Sequence, residues 1–454
     1  MSAPLIAVFD VGKTNAKIAL VDPALGEEVW SARRANSVIR GPDGLQLDVV
    51  AIEAWLLDAL RQAPGRERIA VFVPIAHGAA GVLVDHSGEV LAAPDYEDSC
   101  FDEVAAEYSA LRDQYNQTFS PNLPQGLNLG RQLFYLQRRR PELFARVAQL
   151  LLYPQYWAWR LSGVMAAEVT SLGTHTDLWR PIDQSYSTLA RTQGWARLMP
   201  SMRNATDRLG RIRPSIAAAA GLDAACEVAC GIHDSNASYL RFLMDREREA
   251  FTVVSSGTWT IVMANRGDLR RLREERDMLA NVNVFGAPIA TARYMGGREY
   301  EAIARGPGVP TIEAVGDLLA HGIMALPAFA SGGPYAGHAG FVEGGDMSET
   351  KRASLATLYS ALMTGLLIES LGAAGEIFVD GPLARNPLFA GLLAACVPVG
   401  TVRTYPEGGG TRVAAYLAGL PAPASGILRS VIPLRLPGLT EYQARWRHRL
   451  EENS

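Results

Sequence analysis

The stretch VFDVGKTNAK, residues 8–17, decides the fold prediction for this chain. An apolar run over Pro4–Asp10 predicts a strand, Lys17–Asp22 predicts its partner, and Gly12–Asn15 forms the turn between them. Glycine permits backbone conformations that direct main-chain N–H groups at an anion. The stretch therefore predicts a hairpin whose turn can bind phosphate. A solvated turn is the alternative, because Asp, Gly, Thr and Asn are all common turn residues.

The side chains of this turn supply the groups that a phosphate site needs. Thr14 and Asn15 add hydrogen-bond donors, and Lys13 and Lys17 add positive charge. Asp10, at the end of the first strand, can hold Mg²⁺ directly or through water. The stretch is not a Walker loop, because it lacks the G-x-x-x-x-G-K-S/T pattern.

A similar pattern recurs in the second half of the chain. Residues 253–259 read VVSSGTW, an apolar run followed by a small-residue turn, and a further apolar strand comes next. Two domains of one architecture, each containing such a hairpin, would produce this echo. Coincidence is the alternative, because hairpins often carry glycine at the turn.

Length and composition set the broad class of the protein. With 454 residues the chain is too long for one ordinary core, so we expect two or more domains. Hydrophobic residues make up 48% and charged residues 20%, which excludes disorder and coiled coil. Helical and strand-like segments alternate along the chain, and this alternation predicts α/β architecture.

Charge and hydropathy bear on partners and location. The net charge of −4, with dispersed basic residues, argues against a nucleic-acid partner. We find no apolar window of the roughly 20 residues that a membrane span needs, and no signal peptide. The four cysteines are interpreted as reduced thiols, with a zinc site at Cys226 and Cys230 as the alternative. We therefore expect a cytoplasmic protein, and a homodimer is an open alternative.

Two further motifs join strands to helices. The motif GIHDSN, residues 231–236, contains Asp234, a candidate general base; the alternative is a helix N-cap, the commoner role of Asp at such a position. His233 is interpreted as structural or as a support for a neighbouring functional residue. The motif DGPLARNP, residues 380–387, lies where a nucleotide pocket is common, and an ordinary loop is the alternative.

The order of these four motifs resembles the FGGY carbohydrate kinases, members of the sugar kinase/Hsp70/actin superfamily. An Asp-x-Gly-x-Thr hairpin comes first, then Gly-x-x-Asp, then a Ser-Gly-Thr turn, and last the strand–helix loop. The resemblance covers nearly the whole chain and is closest to ketose kinases such as L-fuculose, L-rhamnulose or xylulose kinase. Each motif is weak alone, and their order makes the resemblance specific.

The resemblance implies a role for each motif. Asp10 would lie beside Mg²⁺, and Asp234 would take the proton from the attacking sugar hydroxyl. The residues placed near the ATP phosphates are Lys13, Thr14, Asn15 and Lys17 in the first turn, with Gly257 and Thr258 in the second. The residues placed beside the adenosine are Gly381, Arg385 and Asn386.

A sugar site is implied by two other stretches. Residues 75–78, IAHG, resemble the Met-His-Gly sugar-site stretch of xylulose kinases, so His77 and Gly78 are candidate sugar contacts. A loop histidine satisfied by its own surroundings is the alternative for His77. Many family members have Trp-x-Asp-x-Arg where this chain has DYEDSC, residues 95–100. The sugar would then be held by Asp95, Glu97 or Asp98 without the usual arginine.

Four more departures from the family pattern stand out. Lys13 occupies a place where the family commonly has Thr, and Arg131 the place of a family Lys. The adenosine loop begins Asp380-Gly381-Pro382 rather than with three glycines, and the late Ala-Leu-Gly-Ala-Ala helix is replaced by TRVAA, residues 411–415. The nucleotide pocket is where the chain departs most from the family.

The sequence therefore predicts an α/β fold of two actin-like (ribonuclease H-like) domains, residues 1–243 and 244–454, with the active site in the cleft between them. The predicted activity is ATP-dependent phosphorylation of a small sugar, a ketose or related polyol, by in-line transfer with Mg²⁺. Two alternatives remain open: an ATPase of the same superfamily, and a non-catalytic sugar sensor with a degraded nucleotide site.

Overall fold

The chain forms two compact units, each discontinuous in sequence. The computed structural model describes residues 4–41, 44–344, 346–397, 400–404, 409–422 and 428–452. The first unit comprises Met1–Met244, Ala280–Pro288 and Gly408–Ser425, and the second comprises Asp245–Leu279, Ile289–Glu407 and Gly426–Ser454. Two short segments from the second half of the chain thus belong to the first unit. The domain boundary at residue 243 stays a prediction.

The first unit is built on a mixed β-sheet. Its strands are β1 (Leu5–Val11), β2 (Asn15–Asp22), β3 (Glu27–Ala35), β4 (Ile69–Ala76), β5 (Arg208–Arg211), β6 (Glu227–Ala229) and β7 (Ile232–His233). The strand order is β5-β6-β4-β1-β2-β3, and β7 pairs with β4. β1 is antiparallel to β2 and parallel to β4. The predicted first hairpin is therefore confirmed.

The apolar run of β1 places it at the centre of this sheet. Five of its side chains are almost fully buried, and a strand covered on both faces needs such a continuous apolar run. Phe9 packs edge-on against Trp157 of the helix Tyr153–Ser162, with ring centroids 5.2 Å apart. The same core contains side chains of the helix Val49–Gln62. This packing fixes the end of β1, where Asp10 lies.

The second unit repeats this sheet pattern. Its strands are β8 (Phe251–Ser256), β9 (Thr260–Asn265), β10 (Pro288–Tyr294), β11 (Glu376–Asp380), β12 (Val402–Thr404) and β13 (Arg429–Ser430). They lie in the order β10-β9-β8-β11-β12-β13. β8 is antiparallel to β9 and parallel to β11, as β1 is to β2 and β4. The echo in the sequence therefore reflects one sheet pattern used twice.

Helices and short strands complete the two units. The α-helices of the first unit are Val49–Gln62, Ala105–Leu111, Tyr115–Thr118, Leu129–Arg139, Pro141–Ala145, Tyr153–Ser162, Val169–Leu172, Thr188–Thr192, Pro214–Ala220, Asp234–Leu243 and Gly409–Leu417. Those of the second unit are Gly296–Ala304, Ile312–His321, Glu349–Ser370, Pro387–Cys396 and Leu439–Glu452. The 3-10 helices are Arg66–Arg68, Ser99–Val104, Trp195–Leu198, Leu269–Arg271, Glu274–Arg276 and Pro382–Arg385. The short strands are Val38–Gly41, Gly44–Leu47, Gly81–Val84, Val90–Ala92, Gln149–Leu152, Ala167–Glu168, Trp179–Arg180, Ser185–Tyr186, Met202–Arg203, Leu279–Val282, Met324–Leu326 and Phe341–Glu343.

The helix Glu349–Ser370 is the core helix of the second unit. The prediction that no segment has the length and composition of a membrane span is wrong for this helix, but 83% of its most apolar window is buried inside the protein. The helical spacing of Leu355, Leu358, Leu362 and Leu366 predicts one apolar stripe, yet side chains are buried on nearly all faces of the helix. Burial all round is expected of a helix enclosed within a core.

Two segments differ from the sequence prediction. The sequence predicts a helix over residues 130–150 with an interruption near Pro141; the helix does end at Arg139, but Gln149–Leu152 is a strand antiparallel to Gly81–Val84. Pro141 explains the break, because proline cannot continue a helix from the preceding residues. Pro121, Pro124 and Gly126 predict an irregular segment over residues 100–129. The segment instead contains two short helices and most of a 3-10 turn, at whose start the Asp98 side chain accepts from Cys100 N.

Candidate active site

Three predicted site residues lie where neighbouring parallel strands end. Asp10 is near the end of β1, His77 follows β4, and Asp234 follows β7. The register pairs Val11 with Ala76, and His233 also with Ala76, so the three strands end at the same edge of the sheet. This edge is a common place for a ligand site in an α/β protein. The structure thus brings three distant parts of the sequence together.

The Asp10 carboxyl has an environment that suits a cation. Burial, reinforced by the negative charge of Asp234, raises the pKa of Asp10 to about 7, while Lys17 and Arg33 oppose the rise. A divalent cation would offset the repulsion between the two carboxylates. The described residues contain no cluster of three or more His, Cys, Asp or Glu side chains that could enclose a metal. A carboxylate in this position can hold Mg²⁺ directly or through water, since Mg²⁺ keeps waters and substrate phosphates among its ligands.

The turn between β1 and β2 is closed by its own backbone. Gly12 N donates to Asn15 O at 2.9 Å, and the Asn36 amide donates to Gly12 O at 2.8 Å. A Cβ atom at Gly12 would lie 3.3 Å from Asn15 O, a close contact. Thr14 and Asn15 are exposed, and Asn15 Nδ2 donates to Thr14 Oγ1 at 3.0 Å. The turn therefore presents polar groups to solvent.

The two lysines of the turn bind carboxylates of the first unit. Lys13 Nζ lies 2.6 Å from both carboxylate oxygens of Asp95, the predicted sugar contact. Lys17 Nζ lies 2.5 Å from Glu28 Oε2 on β3. The structure thus places Lys13 at a predicted sugar residue, although the family resemblance placed it near the ATP phosphates.

Asp234 is the first residue of its helix, not the cap. The helix Asp234–Leu243 has His233 at the N-cap position, so the alternative of an N-cap role for Asp234 is wrong. Asp234 Oδ1 accepts from Ser235 N at 2.5 Å and from Ser235 Oγ at 3.2 Å. Its side chain is 38% exposed, so the carboxylate is reachable by a ligand.

The His233 ring lies beside the Asp234 carboxylate. His233 Nδ1 lies 3.2 Å from Asn236 Nδ2, which can only donate, so Nδ1 is the acceptor. Burial lowers the pKa of His233 and favours the neutral ring. The ring proton is then on Nε2, which lies 3.2 Å from Asp234 Oδ1. The residue interpreted in the sequence as structural or supporting is therefore in direct contact with the candidate base.

The main chain at His233 is held by a segment that sequence reasoning missed. His233 N donates to Thr170 Oγ1 at 3.1 Å, and Thr170 Oγ1 donates to Glu168 at 2.6 Å. Thr174 Oγ1 lies 3.4 Å from His233 Nδ1. The contact of Asn236 with His233 could have been inferred from the sequence, because Asn236 lies one helical turn after His233. Glu168, Thr170 and Thr174 are far away in sequence, and nothing in the motif points to them.

His77 is buried with one ring nitrogen left as an acceptor. Burial lowers the pKa of His77, and Nδ1 lies 2.9 Å from Gly78 O, which can only accept. The proton is therefore on Nδ1, and Nε2 can accept from a hydroxyl. The ring packs between Tyr153 and Tyr96, with centroids 4.9 and 5.6 Å away. A Cβ atom at Gly78 would lie 2.9 Å from His233 Nε2, so this approach requires glycine.

The acidic candidates after residue 94 separate into different roles. Asp95 is buried and bound to Lys13. Asp98 accepts from Leu45 N at 2.5 Å and from Cys100 N at 2.9 Å, so it caps a turn. Glu97 Oε2 lies 3.4 Å from Lys13 Nζ and is largely exposed. Asp95 is therefore the acidic residue of this stretch most closely tied to the turn.

In the second unit, one serine links the second turn to the predicted adenosine loop. Ser256 Oγ donates to Asp380 O at 2.6 Å and accepts from Leu383 N at 3.0 Å. Gly381 has φ of +80°, and a Cβ there would lie 2.1 Å from Ser256 O, so only glycine fits. Gly257 and Thr258 are exposed at the turn itself.

The other two predicted adenosine residues have different environments. Asn386 is the N-cap of the helix Pro387–Cys396, and its Oδ1 accepts from Leu388 N and Phe389 N. Arg385 is exposed at the end of the preceding 3-10 turn. Asn386 therefore has a structural role whether or not it also contacts a ligand.

A separate cavity of about 960 Å³ lies in the first unit. Its lining includes Trp179, Tyr186, Met202 and Phe285. None of the predicted site residues lines it, so it has no part in the proposed chemistry.

Comparison with known proteins identifies the family. Residues 5–240 match the N-terminal domain of the FGGY family of carbohydrate kinases, and residues 248–426 match the family's C-terminal domain. The chain belongs to the FGGY family of carbohydrate kinases. The predicted family and the predicted fold of two actin-like domains are confirmed.

Individual relatives agree with this assignment. A crystal structure of a carbohydrate kinase from Novosphingobium aromaticivorans is 34% identical, with a TM-score of 0.90 over 100% of this chain and 99% of that one. A rhamnulokinase from Yersinia pestis is 29% identical over 37% of this chain and 36% of that protein. An L-fuculokinase from Escherichia coli is 26% identical over 58% of this chain and 57% of that protein. The chain thus spans between about a third and just over half of these two curated relatives.

Proposed function

We propose that the chain transfers the γ-phosphoryl group of ATP to a hydroxyl of a small sugar, with Mg²⁺ as cofactor. The observation that carries this proposal is the meeting of Asp10, His77 and Asp234 at one edge of the first sheet. Family membership supports the reaction class. Cytoplasmic location and a homodimer remain predictions.

Asp234 is the proposed general base. It is the first residue of a helix, and its side chain is exposed enough to be reached by an acceptor hydroxyl. Ser235 N and Oγ donate to Oδ1, His233 Nε2 lies 3.2 Å from the same oxygen, and Oδ2 would accept the proton of a sugar hydroxyl. A fixed carboxylate loses little freedom when the acceptor binds.

Asp10 is the proposed Mg²⁺ residue, bound directly or through water. A bound Mg²⁺ would neutralise charge on the transferred phosphoryl group. The chain's own contribution is a half-buried carboxylate whose raised pKa makes it responsive to a nearby cation. The backbone N–H groups and side-chain donors of the exposed turn, with Thr14 and Asn15, would bind phosphate oxygens.

The second unit would bind the rest of the nucleotide. Gly257 and Thr258 lie exposed at a turn that Ser256 ties to the loop of Gly381 and Arg385. We propose that this turn binds phosphate and that the loop, with Asn386, flanks the adenosine.

The proposed acceptor is a ketose or a related polyol. His77 Nε2 can accept from a sugar hydroxyl, and Asp95 and Gly78 lie in the same region of the first unit. The rhamnulokinase and L-fuculokinase matches support a six-carbon deoxy-ketose among the first candidates. Xylulose and ribulose complete the set to be tested.

The experiment is to incubate the purified chain with ATP, Mg²⁺ and each of these ketoses, and to measure ADP. The proposal expects ADP release that depends on one or more of the sugars. ADP release that is independent of sugar would favour an ATPase. Thermal stabilisation by sugar without any ADP release would favour a sensor. Asp317→Asn, a surface substitution in the second unit, serves as a control for handling of the protein.

A further inference from the structure

The ammonium of Lys13 lies away from the exposed tip of its own turn. Its Nζ contacts both oxygens of Asp95 at 2.6 Å, and Glu97 Oε2 is 3.4 Å away. Lys13 and Asp95 are separated by 82 residues in sequence. The side chain thus ties the β1–β2 turn to the segment that carries the acidic sugar candidates.

In this ion pair the aspartate is almost fully buried and the lysine is mostly buried. The exposed fraction is 17% for the Lys13 side chain and 2% for that of Asp95. Burying an ion pair costs desolvation free energy that its attraction only partly offsets, so such a pair is a poor device for stability alone. A role in ligand recognition accounts better for two charges in this position.

Aromatic contacts place the pair next to His77. Lys13 Nζ lies 5.1 Å from the ring centroid of Tyr96, and that ring meets His77 edge-on at 5.6 Å. The electrostatic field at His77 includes contributions from both Lys13 and Asp234. The pair therefore belongs to the same region as the proposed acceptor contact and the proposed base.

The hydrogen-bonding capacity left on these groups defines a subsite. Lys13 has three N–H donors and uses two of them on Asp95. Asp95 Oδ1 also accepts from Glu97 N at 3.0 Å, whereas Oδ2 accepts from Lys13 alone among the described residues. With His77 Nε2 the subsite offers one donor and two acceptors. Hydroxyl groups match this set, since each can both donate and accept.

We propose that the Lys13–Asp95 pair binds the acceptor and selects neutral polyhydroxy acceptors against sugar acids. The proposal rests on the proposed kinase function and deepens it. An acceptor carboxylate would meet Asp95 and Glu97 around a single lysine whose charge Asp95 already balances. Like charges in a partly buried site disfavour binding.

The test uses the ketose with the fastest ADP release and the aldonate of the same carbon number. Lys13→Met should raise the KM for the ketose about 10-fold or more, with the KM for ATP changed less than about 2-fold, because it removes a charge-assisted donor to the acceptor. Asp95→Asn should raise the ratio of kcat/KM for aldonate over ketose by about 10-fold, because it frees the lysine to bind a carboxylate.

Asp317→Asn is the matched control. It makes the same change in a lysine–aspartate pair, Lys351–Asp317, on the surface of the second unit. Its kinetics should equal those of the parent. If Lys13→Met fails to fold with Asp95 left buried and unpaired, the double variant Lys13→Met/Asp95→Asn removes both charges and should still show the raised ketose KM.

Two results would overturn the proposal. One is a rise in the KM for ATP in Lys13→Met with the KM for the ketose unchanged, which would indicate that Lys13 contacts the ATP phosphates instead of the sugar. The other is parental selectivity in Asp95→Asn. ADP release by the parent without any sugar would instead contradict the kinase function. In that case the selectivity is tested by the shift in melting temperature that the ketose and the aldonate each cause in the parent. Equal shifts for the two ligands would contradict the proposed selection against sugar acids.

Discussion

The two hairpins occupy the same place in their sheets but are held in different ways. In the first unit, the β1–β2 turn is closed by Gly12 N and Asn15 O, and Lys13 connects it to Asp95. In the second unit, Ser256 connects the β8–β9 turn to the loop that follows β11. One strand pattern thus supports two sets of contacts, and the side chains of the turn decide which neighbouring segment is joined to it.

This difference fits a division of labour within the proposed function. The first turn is joined to proposed acceptor residues, and the second is joined to the proposed adenosine loop. Substitutions at the first turn should therefore change mainly the kinetic constants for the sugar, and substitutions at the second turn mainly those for the nucleotide.

The largest expected effect is on the base at the edge of the first sheet. Asp234→Asn keeps the size of the side chain but removes its basic oxygen. We expect kcat to fall by roughly 10²–10⁴-fold, with folding unchanged by circular dichroism. A folded Asp234→Asn protein that works at close to the parental rate would remove the base from this mechanism.

Asp10→Asn should have the next largest effect. Loss of the carboxylate weakens the charge stabilisation that Mg²⁺ supplies, and we expect kcat to fall by about 10²–10³-fold. Sugar binding, measured by calorimetry without ATP, should stay at the parental value. Full turnover in this variant would show that Asp10 does not act through the metal.

Ser256→Ala tests the contact that distinguishes the second hairpin. It leaves Asp380 O and Leu383 N without their serine partner, which should cost about 1–3 kcal/mol in the free energy of unfolding. The KM for ATP should rise more than the KM for sugar, because the disturbed loop belongs to the proposed nucleotide side. A larger effect on the sugar would contradict the proposed division between the units.

His77→Ala tests the acceptor side of the comparison. The KM for sugar should rise by about 5–10-fold and the KM for ATP should change little, because the lost hydrogen bond is made only by the sugar. Equal changes in both constants would instead indicate that His77 has a structural role.

The smallest expected effect is a pH dependence of stability. The pKa of Asp10 is raised from 3.8 to about 7 in the folded chain, so the folded state binds a proton that the unfolded state has lost between these values. This group therefore lowers stability as pH rises from about 4 to 7. Without Mg²⁺, Asp10→Asn should be more stable than the parent at pH 8, and the difference should shrink towards pH 5. Melting temperatures that differ equally at both pH values would exclude the proposed burial of charge.

Much of the fold could be predicted from local patterns. Both hairpins could be predicted from their apolar runs and small-residue turns. A buried strand needs a continuous apolar run, and a tight turn needs small or polar residues. The helix Pro387–Cys396 was predicted with the bounds that the structure has. The interruption near Pro141 was predicted, but the strand Gln149–Leu152 was missed, because a short apolar run fits either a helix or a strand until its partner strand is known.

The contacts that organise the candidate site could not be predicted. Lys13 meets Asp95 across 82 residues, and Ser256 meets Asp380 across 124. No local pattern specifies such pairs, since they depend on which strands become neighbours. The tautomer of His233 likewise depends on Asn236 and on burial that only the folded chain provides.

Phosphorus NMR of the parent with ATP, Mg²⁺ and the active ketose tests the central claim most directly. The account predicts that a sugar phosphomonoester appears in step with ADP, one for each ADP formed. Inorganic phosphate in place of the ester would contradict phosphoryl transfer to the sugar.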